Sequence, residues 1–430
     1  MMKKQDKNCK HKYCESCLHV FSEKDKSFED CDLDCFNLAN LKTSRDPIYC
    51  ENCGQEINDF YYEKDFDQDL LLFESALENK NLKVICYTAP SVRVALGDEF
   101  GFKPGENIQP KMVSALKALG VDKVFDMNLG ADFTIVEEAN EFIERFKSNK
   151  NLPFFTSCCP GWINYATKVL SEYKNNLSTC KSPQQMFGAI INNYYAEKNN
   201  LKPTDLFVVS IVPCVAKKLE LKQNGINSNI GFDVDVAITT KELIKLLKLK
   251  NIDLKKLEDS EFDSFFGASS GAGAIFGNTG GVMEAVLRTI GDRVSNEDLK
   301  TLDYKMVRGL DGVRRAKINI GDKEIRLAVV TGLKNINIVL NEIKEDPLKY
   351  HFIEVMACDG GCIGGPGQPV ILNKERREVL KSRATSLYKL ELKKEYRKAH
   401  KNPAVLKVYE EYLGEIGGNK AHKLLHRKYD

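Results

Sequence analysis

The amino-acid sequence predicts an α/β fold, with two lobes of mostly parallel sheet covered by helices and a functional site between them. A small cysteine-rich metal-binding module precedes this fold, and a helical tail follows it. Three observations support the prediction. Short apolar runs alternate with amphipathic segments from residue 82 onward, as in parallel sheets covered by helices. Seven of the 14 cysteines fall in the first 53 residues, and residues 374–430 are charged with a largely helical pattern.

The individual elements follow from periodicity. Six runs rich in β-branched or aromatic residues predict buried strands at 82–87, 123–127, 206–213, 234–238, 326–330 and 352–357. Amphipathic segments predict helices at 110–119, 132–146, 183–199 and 241–248. Thr239 and Glu242 have the spacing of a capping box at the start of the last helix. Sites in parallel sheets form in loops beyond the carboxyl ends of strands, so the loops after these strands are candidates.

The length predicts more than one domain. At roughly 100–200 residues per domain, 430 residues predict two to four domains. Changes in composition place a cysteine-rich module at residues 1–65, the α/β domain at 66–372 and the helical tail at 373–430.

Composition excludes several classes of function. The net charge of +2 implies no general attraction to nucleic acid or anionic membranes. The longest apolar stretch, 207–216, is far short of the roughly 20 residues that span a bilayer. No apolar core follows the first lysines, so we expect no secretory signal and a cytoplasmic protein. Clustered thiols in a reducing cytosol are more often metal ligands than disulfides, which predicts a metalloprotein.

Cysteines follow three of the apolar runs. Cys158 and Cys159 follow the run at 154–157, Cys214 follows the strand at 206–213, and Cys358 and Cys362 follow the strand at 352–357. If these strands are parallel neighbours, the thiols converge, and four thiolates suit either Zn²⁺ or a [4Fe–4S] cluster. Their dispersal over three elements favours the cluster, because structural zinc sites usually take ligands in close pairs. The alternative is a set of buried core cysteines.

Cys158 and Cys159 are expected to act differently. Adjacent residues in an extended chain point to opposite sides, so one can bind a cluster while its neighbour remains a free thiol. A thiol held beside a reaction centre can donate or accept a proton.

Three segments around these cysteines resemble the signature segments of [FeFe]-hydrogenases. They are Thr-Ser-Cys-Cys-Pro-Gly-Trp at 156–162, Val-Pro-Cys-Val-Ala-Lys-Lys-Leu-Glu at 212–220 and Phe-Ile-Glu-Val-Met-Ala-Cys-Asp-Gly-Gly-Cys at 352–362. The resemblance runs from about residue 82 to the C-terminus, and the end of the chain resembles the small subunit of the family, here fused.

The resemblance implies an H-cluster, in which a [4Fe–4S] cubane is linked through one cysteine to a diiron subcluster carrying CO, cyanide and azadithiolate. It assigns Cys159, Cys214, Cys358 and Cys362 to the cubane, with Cys362 as the bridge, and Cys158 to proton transfer. It further implies that Lys217 pairs with one cyanide. The remaining pocket positions of the family match Ala89, Pro90, Ser91, Gln184 and Phe276. Without the motif, Lys217 reads as a solvent-facing lysine.

A proton route is predicted from spacing and resemblance together. Glu138, Glu141 and Arg145 lie at i, i+3 and i+7, on one face of a predicted helix. Such a stripe alone is more often a solvated, salt-bridging face. These positions and Ser178 match the proton relay of the family, which gives a route from Cys158 through Glu138, Ser178 and Glu141, with Arg145 near its outer end.

The amino-terminal region departs from the ferredoxin-like domains of many family members. Its eight candidate ligands form four close pairs: Cys9, His11, Cys14, Cys17, Cys31, Cys35, Cys50 and Cys53. They suit either zinc, in the manner of a zinc ribbon, or iron–sulfur clusters that carry electrons. Cys86 and Cys180 are expected to be structural.

The sequence therefore predicts a hydrogenase that interconverts protons, electrons and H₂. A ferredoxin-like carrier and maturation proteins are its expected partners, with no nucleic acid or membrane. Two alternatives stay open, an H₂ sensor of low turnover and a hydrogenase-like iron–sulfur assembly protein. Retention of Cys158, Lys217 and Pro90 argues against the assembly protein.

Overall fold

The computed structural model describes residues 11–14, 19–21, 48–49, 56–57, 68–223, 225–227, 232–300, 302–321 and 323–429. The chain divides into two compact units, Met1–Glu74 and Ser75–Asp430. No helix within the described residues is long and apolar enough to span a membrane.

The first unit contains two short antiparallel strand pairs. Strand β1 (His11–Cys14) pairs with β2 (His19–Phe21), and β3 (Ile48–Tyr49) pairs with β4 (Glu56–Ile57). Helix α1 (Gln68–Glu78) runs across the boundary between the units.

The second unit is built on two four-stranded sheets. The first has the order β6 (Lys123–Asp126), β5 (Lys83–Thr88), β8 (Leu206–Val212) and β9 (Val236–Thr239), all parallel. The second has the order β10 (Val313–Ile320), β11 (Lys323–Thr331), β12 (Phe352–Met356) and β7 (Phe154–Phe155). Only β10 and β11 pair antiparallel in the second sheet. The predicted α/β class with mostly parallel sheets is confirmed.

Helices cover both sheets. In chain order they are α2 (Gln109–Ala118), α3 (Asn128–Ser148), α4 (Pro160–Val169), α5 (Pro183–Ile190), α6 (Ala196–Lys198), α7 (Ala216–Leu221), α8 (Thr240–Leu249), α9 (Gly271–Ala274), α10 (Gly281–Ser295), α11 (Ile336–Glu345), α12 (Arg376–Leu392), α13 (Pro403–Val408) and α14 (Asn419–Leu425). A π-helical turn, Ile191–Tyr195, joins α5 to α6, so the predicted helix at 183–199 is one continuous element with a bulge.

Local sequence signals explain several boundaries. The predicted capping box is present, since Thr239 Oγ1 accepts a bond from Glu242 N at 3.2 Å and Thr239 N donates to Glu242 Oε2 at 2.7 Å. Pro160 and Pro183 lie in the first turns of α4 and α5, where a missing N–H costs no hydrogen bond.

Within the second unit, the carboxyl-terminal tail packs on the preceding α/β part through buried polar contacts. Arg383 on α12 is fully buried and donates from Nη1 to the carbonyl of Ile363 at 2.7 Å. Ile363 directly follows Cys362, so the tail supports the backbone of a predicted ligand loop.

Candidate active site

A cavity lies where the carboxyl ends of the two sheets meet. Its walls come from the segments that follow β5, β6, β7, β8 and β12, as expected for sheets of this kind. All six pocket residues predicted from the sequence line it: Ala89, Pro90, Ser91, Gln184, Lys217 and Phe276. Met127, Ala131 and Met356 also line it. These three could not be predicted as pocket residues, because apolar residues at strand and helix ends look like ordinary core residues.

The five predicted cysteines converge on this cavity. Cys158 and Cys159 follow β7, Cys214 follows β8, and Cys358 and Cys362 follow β12, and all five line the cavity with free thiols. Of the three strands, only β7 and β12 are neighbours in one sheet, so the expectation of neighbouring parallel strands is wrong for Cys214 on the other sheet. The thiols come together because the carboxyl ends of the two sheets meet at the cavity.

The environment of these thiols is poor for bare thiolates. Burial raises the pKa of Cys214 to about 11 and that of Cys362 to about 12, and the charge of the neighbouring Cys159 adds to both shifts. The pKa of Cys358 is raised further, by burial first and then by the charges of the other three thiols. Thiols that repel one another as anions in a buried site suit a cationic metal body.

The four ligand candidates come from three separate loops. Cys159 follows β7, Cys214 follows β8, and Cys358 and Cys362 follow β12. Structural zinc sites usually take their ligands in close pairs, so this arrangement favours a cluster over a single ion.

Two glycines let the loop of Cys362 approach its neighbours, Gly365 the loop of Cys214 and Gly361 the segment at 277–279. A Cβ at Gly365 would lie 2.4 Å from the carbonyl oxygen of Pro213, which no side chain permits. Gly361 has a φ of +82°, and a Cβ there would lie 2.8 Å from Thr279 N. Both positions require glycine, because the backbones approach too closely for any larger residue.

Lys217 points into the cavity wall. Its Nζ donates to the carbonyl of Cys158 at 3.1 Å and to Glu220 Oε2 at 2.9 Å, and its side chain is 12% exposed. Burial disfavours the charged form of Lys217, but the negative charge of Glu220 outweighs this effect, so the pKa of Lys217 is raised. The solvent-facing alternative for Lys217 is thereby excluded.

Glu220 was not singled out in the sequence, although its i+3 spacing from Lys217 on α7 was visible. Its Oε2 also accepts from Ser182 Oγ at 2.9 Å and from Gln184 Nε2 at 3.1 Å. Gln184 thus helps to fix the partner of Lys217.

Cys158 is held as a neutral thiol. It is 7% exposed, and burial followed by the charge of Glu138 raises its pKa well above the usual value, against the opposing effect of Lys217. A neutral thiol beside a buried carboxyl is suited to exchanging a proton with it.

Glu138 is a fully buried carboxyl. Burial, together with the charge of Glu141, raises its pKa to about 8. Its Oε1 accepts a long bond from Ser157 N at 3.4 Å, and its Oε2 has no partner among the described residues. A carboxyl with a pKa near neutrality can both take and give a proton at physiological pH.

Glu138→Gln is expected to change how stability depends on pH. The carboxyl titrates at about 8 in the fold, against 4.5 for the unperturbed group, so unfolding releases a proton between these two values. As pH rises through this range, the free energy of unfolding of the wild type should therefore fall relative to that of the variant, by up to about 1.4 kcal/mol per pH unit. Thermal denaturation followed by circular dichroism across this range measures the difference. Parallel curves for the two proteins would contradict a buried, protonated Glu138.

The other predicted relay residues are joined by direct hydrogen bonds. Ser178 Oγ donates to Glu141 Oε2 at 3.0 Å, and Arg145 Nη2 donates to Glu141 Oε1 at 2.6 Å. Thr179, which the sequence analysis did not single out, donates to Glu141 from both N and Oγ1. Arg145 also binds the carbonyls of Asn175 and Leu177, at 3.0 Å each. The solvated-face alternative is wrong for this stripe, because Glu138 is buried and both Glu141 and Arg145 are only 13% exposed.

Most of the amino-terminal ligand candidates lie outside the described residues. These are Cys9, Cys17, Cys31, Cys35, Cys50 and Cys53. His11 and Cys14 are the first and last residues of β1.

Comparison with known proteins identifies the family. The model of the iron-only hydrogenase large subunit, C-terminal domain, matches residues 82–366. The chain belongs to the iron-only hydrogenase family. The model of the iron hydrogenase small subunit matches residues 377–430, so this member has a small-subunit-like part within the same chain.

Relatives within the iron hydrogenases extend the match. Iron hydrogenase 1 of Clostridium pasteurianum is 44% identical over 358 residues, which are 83% of this chain and 62% of that protein. The chain therefore spans less than two thirds of the length of this relative. The apo [FeFe]-hydrogenase HydA1 from Chlamydomonas reinhardtii, in a variant form, superposes with a TM-score of 0.74 at 35% identity, covering 84% of this chain and 98% of that one.

A second group of relatives is named for a different role, iron–sulfur cluster assembly. Cytosolic iron-sulfur assembly component 3 of Bos taurus is 30% identical over 368 residues, which are 83% of this chain and 76% of that protein. Similarity to the family thus leaves catalysis and cluster assembly to be distinguished by the site itself.

Proposed function

We propose that this iron-only hydrogenase family member is an active [FeFe]-hydrogenase that interconverts two protons and two electrons with H₂ in the cavity. The proposal rests on the position of the Cys158 thiol. This neutral, buried thiol lines the same cavity as four ligand-type cysteines and lies beside the buried carboxyl of Glu138.

The donor set fits a [4Fe–4S] cubane. Cys159, Cys214, Cys358 and Cys362 offer four thiols at one cavity, and glycine allows the loop of Cys362 to approach its neighbours closely. Backbone N–H groups also face the site, since Ala357 N donates to Cys159 Sγ at 3.4 Å. Such donors stabilise charge on cluster sulfurs and tune the potential.

The remaining space suits a diiron subcluster that shares Cys362. The subcluster, with CO, cyanide and azadithiolate ligands, would supply the metal site at which H₂ is made or split. Two groups at the cavity are suited to anionic ligands: the ammonium of Lys217 and the hydroxyl of Ser91, a buried group that has no hydrogen-bond partner within the described residues. Pro90, Val212 and Phe276 provide an apolar wall that excludes water.

Residues that lead outward from Cys158 at the cavity would move protons. Cys158 would exchange a proton with Glu138, whose pKa near neutrality lets it accept and release one. Ser178 and Glu141, hydrogen-bonded at 3.0 Å, would carry it toward Arg145. The unpartnered Oε2 of Glu138 is the available acceptor on this route.

Electrons must reach the cavity from a carrier, for which we propose a ferredoxin-like protein. The amino-terminal candidates, as iron–sulfur or zinc ligands, would form one or two metal sites. Iron there would make the module part of the electron path, whereas zinc would make it structural.

Cluster assembly is the second candidate, favoured by the relatives of about 30% identity. A protein of that function needs ligand cysteines, but it has no evident use for a buried thiol coupled to a titrating carboxyl.

The test is an anaerobic H₂ assay on chain that has been matured with its diiron subcluster. We expect H₂ evolution with a reduced low-potential carrier and H₂ uptake with an oxidised one. The unmatured chain, which holds only the cubane, is the matched control and should be inactive. Matured protein with negligible turnover in both directions would favour the sensor or the assembly protein.

A further inference from the structure

A second group of metal-ligating side chains lies at the outer end of the proposed relay. Glu141 on α3, Cys180 before α5 and His426 after α14 each offer one ligand atom, and these three atoms lie within 4.8 Å of one another. Cys180 is fully buried, and His426 is 8% exposed.

We propose that Glu141, Cys180 and His426 form a site for a single divalent cation of the zinc type, with water as the fourth ligand. The set combines thiolate, imidazole and carboxylate, which are the three ligand classes that zinc takes in proteins. Binding would displace the Cys180 thiol proton to solvent and leave the cation bound to thiolate.

The distance between two of the ligands already fits zinc. Cys180 Sγ lies 3.7 Å from Glu141 Oε2. Tetrahedral zinc with bonds of about 2.3 Å to sulfur and about 2.1 Å to oxygen places those atoms about 3.6 Å apart. The other carboxylate oxygen, Oε1, carries the bond to Arg145, so Oε2 is the one that faces the site.

The surroundings of His426 are those of a metal-bound imidazole. Its Nε2 lies 3.0 Å from Glu137 Oε2, so Glu137 orients the ring as a carboxylate does in carboxylate–histidine–zinc arrangements. Glu137 is itself held by Tyr409 Oη and by Gly417 N. This leaves Nδ1 for the cation. Without the cation, Nδ1 contacts Thr179 Oγ1 at 2.7 Å. If the cation replaces Thr179 as the partner of Nδ1, the Thr179 hydroxyl can keep its bond to Glu141.

The backbone positions two of the ligands in advance. Cys180 and His426 face each other across an antiparallel bridge. Lys181 N donates to the carbonyl of Leu425 and Arg427 N donates to that of Thr179, each at 2.8 Å. Since these residues flank the ligands on both sides, little chain ordering remains to oppose binding.

A bound cation would hold Glu141 as a ligand and prevent Oε2 from receiving the proton of Ser178. This consequence rests on the proposed function, whereas the metal site itself does not. The site would therefore connect divalent metal concentration to turnover at the point where the relay nears the surface.

Titration of the full chain with Co²⁺ and Zn²⁺ under anaerobic conditions tests the site. Cys180→Ala removes a ligand, and Cys86→Ala is the matched control, because Cys86 is also a buried free thiol but lies on β5. We expect wild type and Cys86→Ala to bind one Zn²⁺ more per chain than Cys180→Ala. Their Co²⁺ forms should show an additional thiolate-to-cobalt absorption band that Cys180→Ala lacks.

Equal stoichiometry and equal cobalt spectra in the three proteins would overturn the site and leave Cys180 as a thiol that only donates to Glu141. His426→Gln is a second variant, whose Zn²⁺ affinity should fall at least as far as the roughly 100-fold that loss of an outer-shell partner costs. In matured protein, Zn²⁺ should inhibit the wild type at concentrations at least about 100-fold lower than Cys180→Ala, each measured against its own metal-free rate. Binding without inhibition would confirm the site and contradict the route through Glu141.

Discussion

Replacing Cys158 by alanine is expected to lower H₂ turnover by about 10²–10⁴-fold, the usual contribution of a positioned acid–base group. The variant removes the thiol beside Glu138 but none of the four cysteines assigned to the cubane. The rate should fall in both directions, because the same thiol gives protons in one and takes them in the other. Turnover with a chemical reductant, in anaerobically matured protein, is the measurement.

Iron content and the visible absorption of the cubane show whether the Cys158→Ala site is intact. Both should equal those of the wild type, since the substitution leaves Cys159, Cys214, Cys358 and Cys362 in place. Cys86→Ala, another buried thiol, should keep its activity and serves as the control for loss of a thiol. Activity within a few-fold of wild type in Cys158→Ala would contradict the proton route at its first residue.

Replacing Cys214 by alanine should abolish cluster binding at the cavity and all turnover with it. Cys214 is the one ligand candidate that its loop contributes, so no neighbouring thiol on β8 can replace it. Loss of one of four thiolates also leaves the other three buried and mutually repelling, which disfavours a cluster bound by three. Iron determination on Cys214→Ala, compared with wild type, measures the loss.

The amino-terminal cysteines set the baseline for that measurement. Any iron they bind should be present in wild type and in Cys214→Ala alike, so the difference between the two proteins reports the cavity alone. Retention of the full iron content by Cys214→Ala would contradict the assignment of this cysteine. Cys86→Ala should again match wild type, because Cys86 does not line the cavity.

The fold and the ligand cysteines could be predicted because both follow from local patterns. Apolar runs marked the parallel strands and the cysteines that follow them. The strands β8 and β12 lie in different sheets, however, so the convergence of Cys214 and Cys358 depends on how the two sheets pack and did not follow from neighbouring strands. The edge strand β10 was missed. It is half exposed and carries arginine and lysine, so its apolar periodicity is weak.

The polar contacts around the site could not be predicted, since they join residues far apart in sequence. Glu137 contacts His426, which is 289 residues away in sequence, and Thr179 contacts the same ring from 247 residues away. No local spacing marks such pairs, and Cys180 therefore looked like a structural thiol. Glu220 is the exception, because its i+3 relation to Lys217 was already visible on one helix.

The infrared spectrum of the anaerobically matured chain tests the central claim most directly. An [FeFe]-hydrogenase site predicts bands of bound CO and cyanide that are present in wild type and Cys86→Ala and absent from Cys214→Ala. Wild-type protein that holds its cubane after maturation but shows no such bands would contradict the hydrogenase assignment.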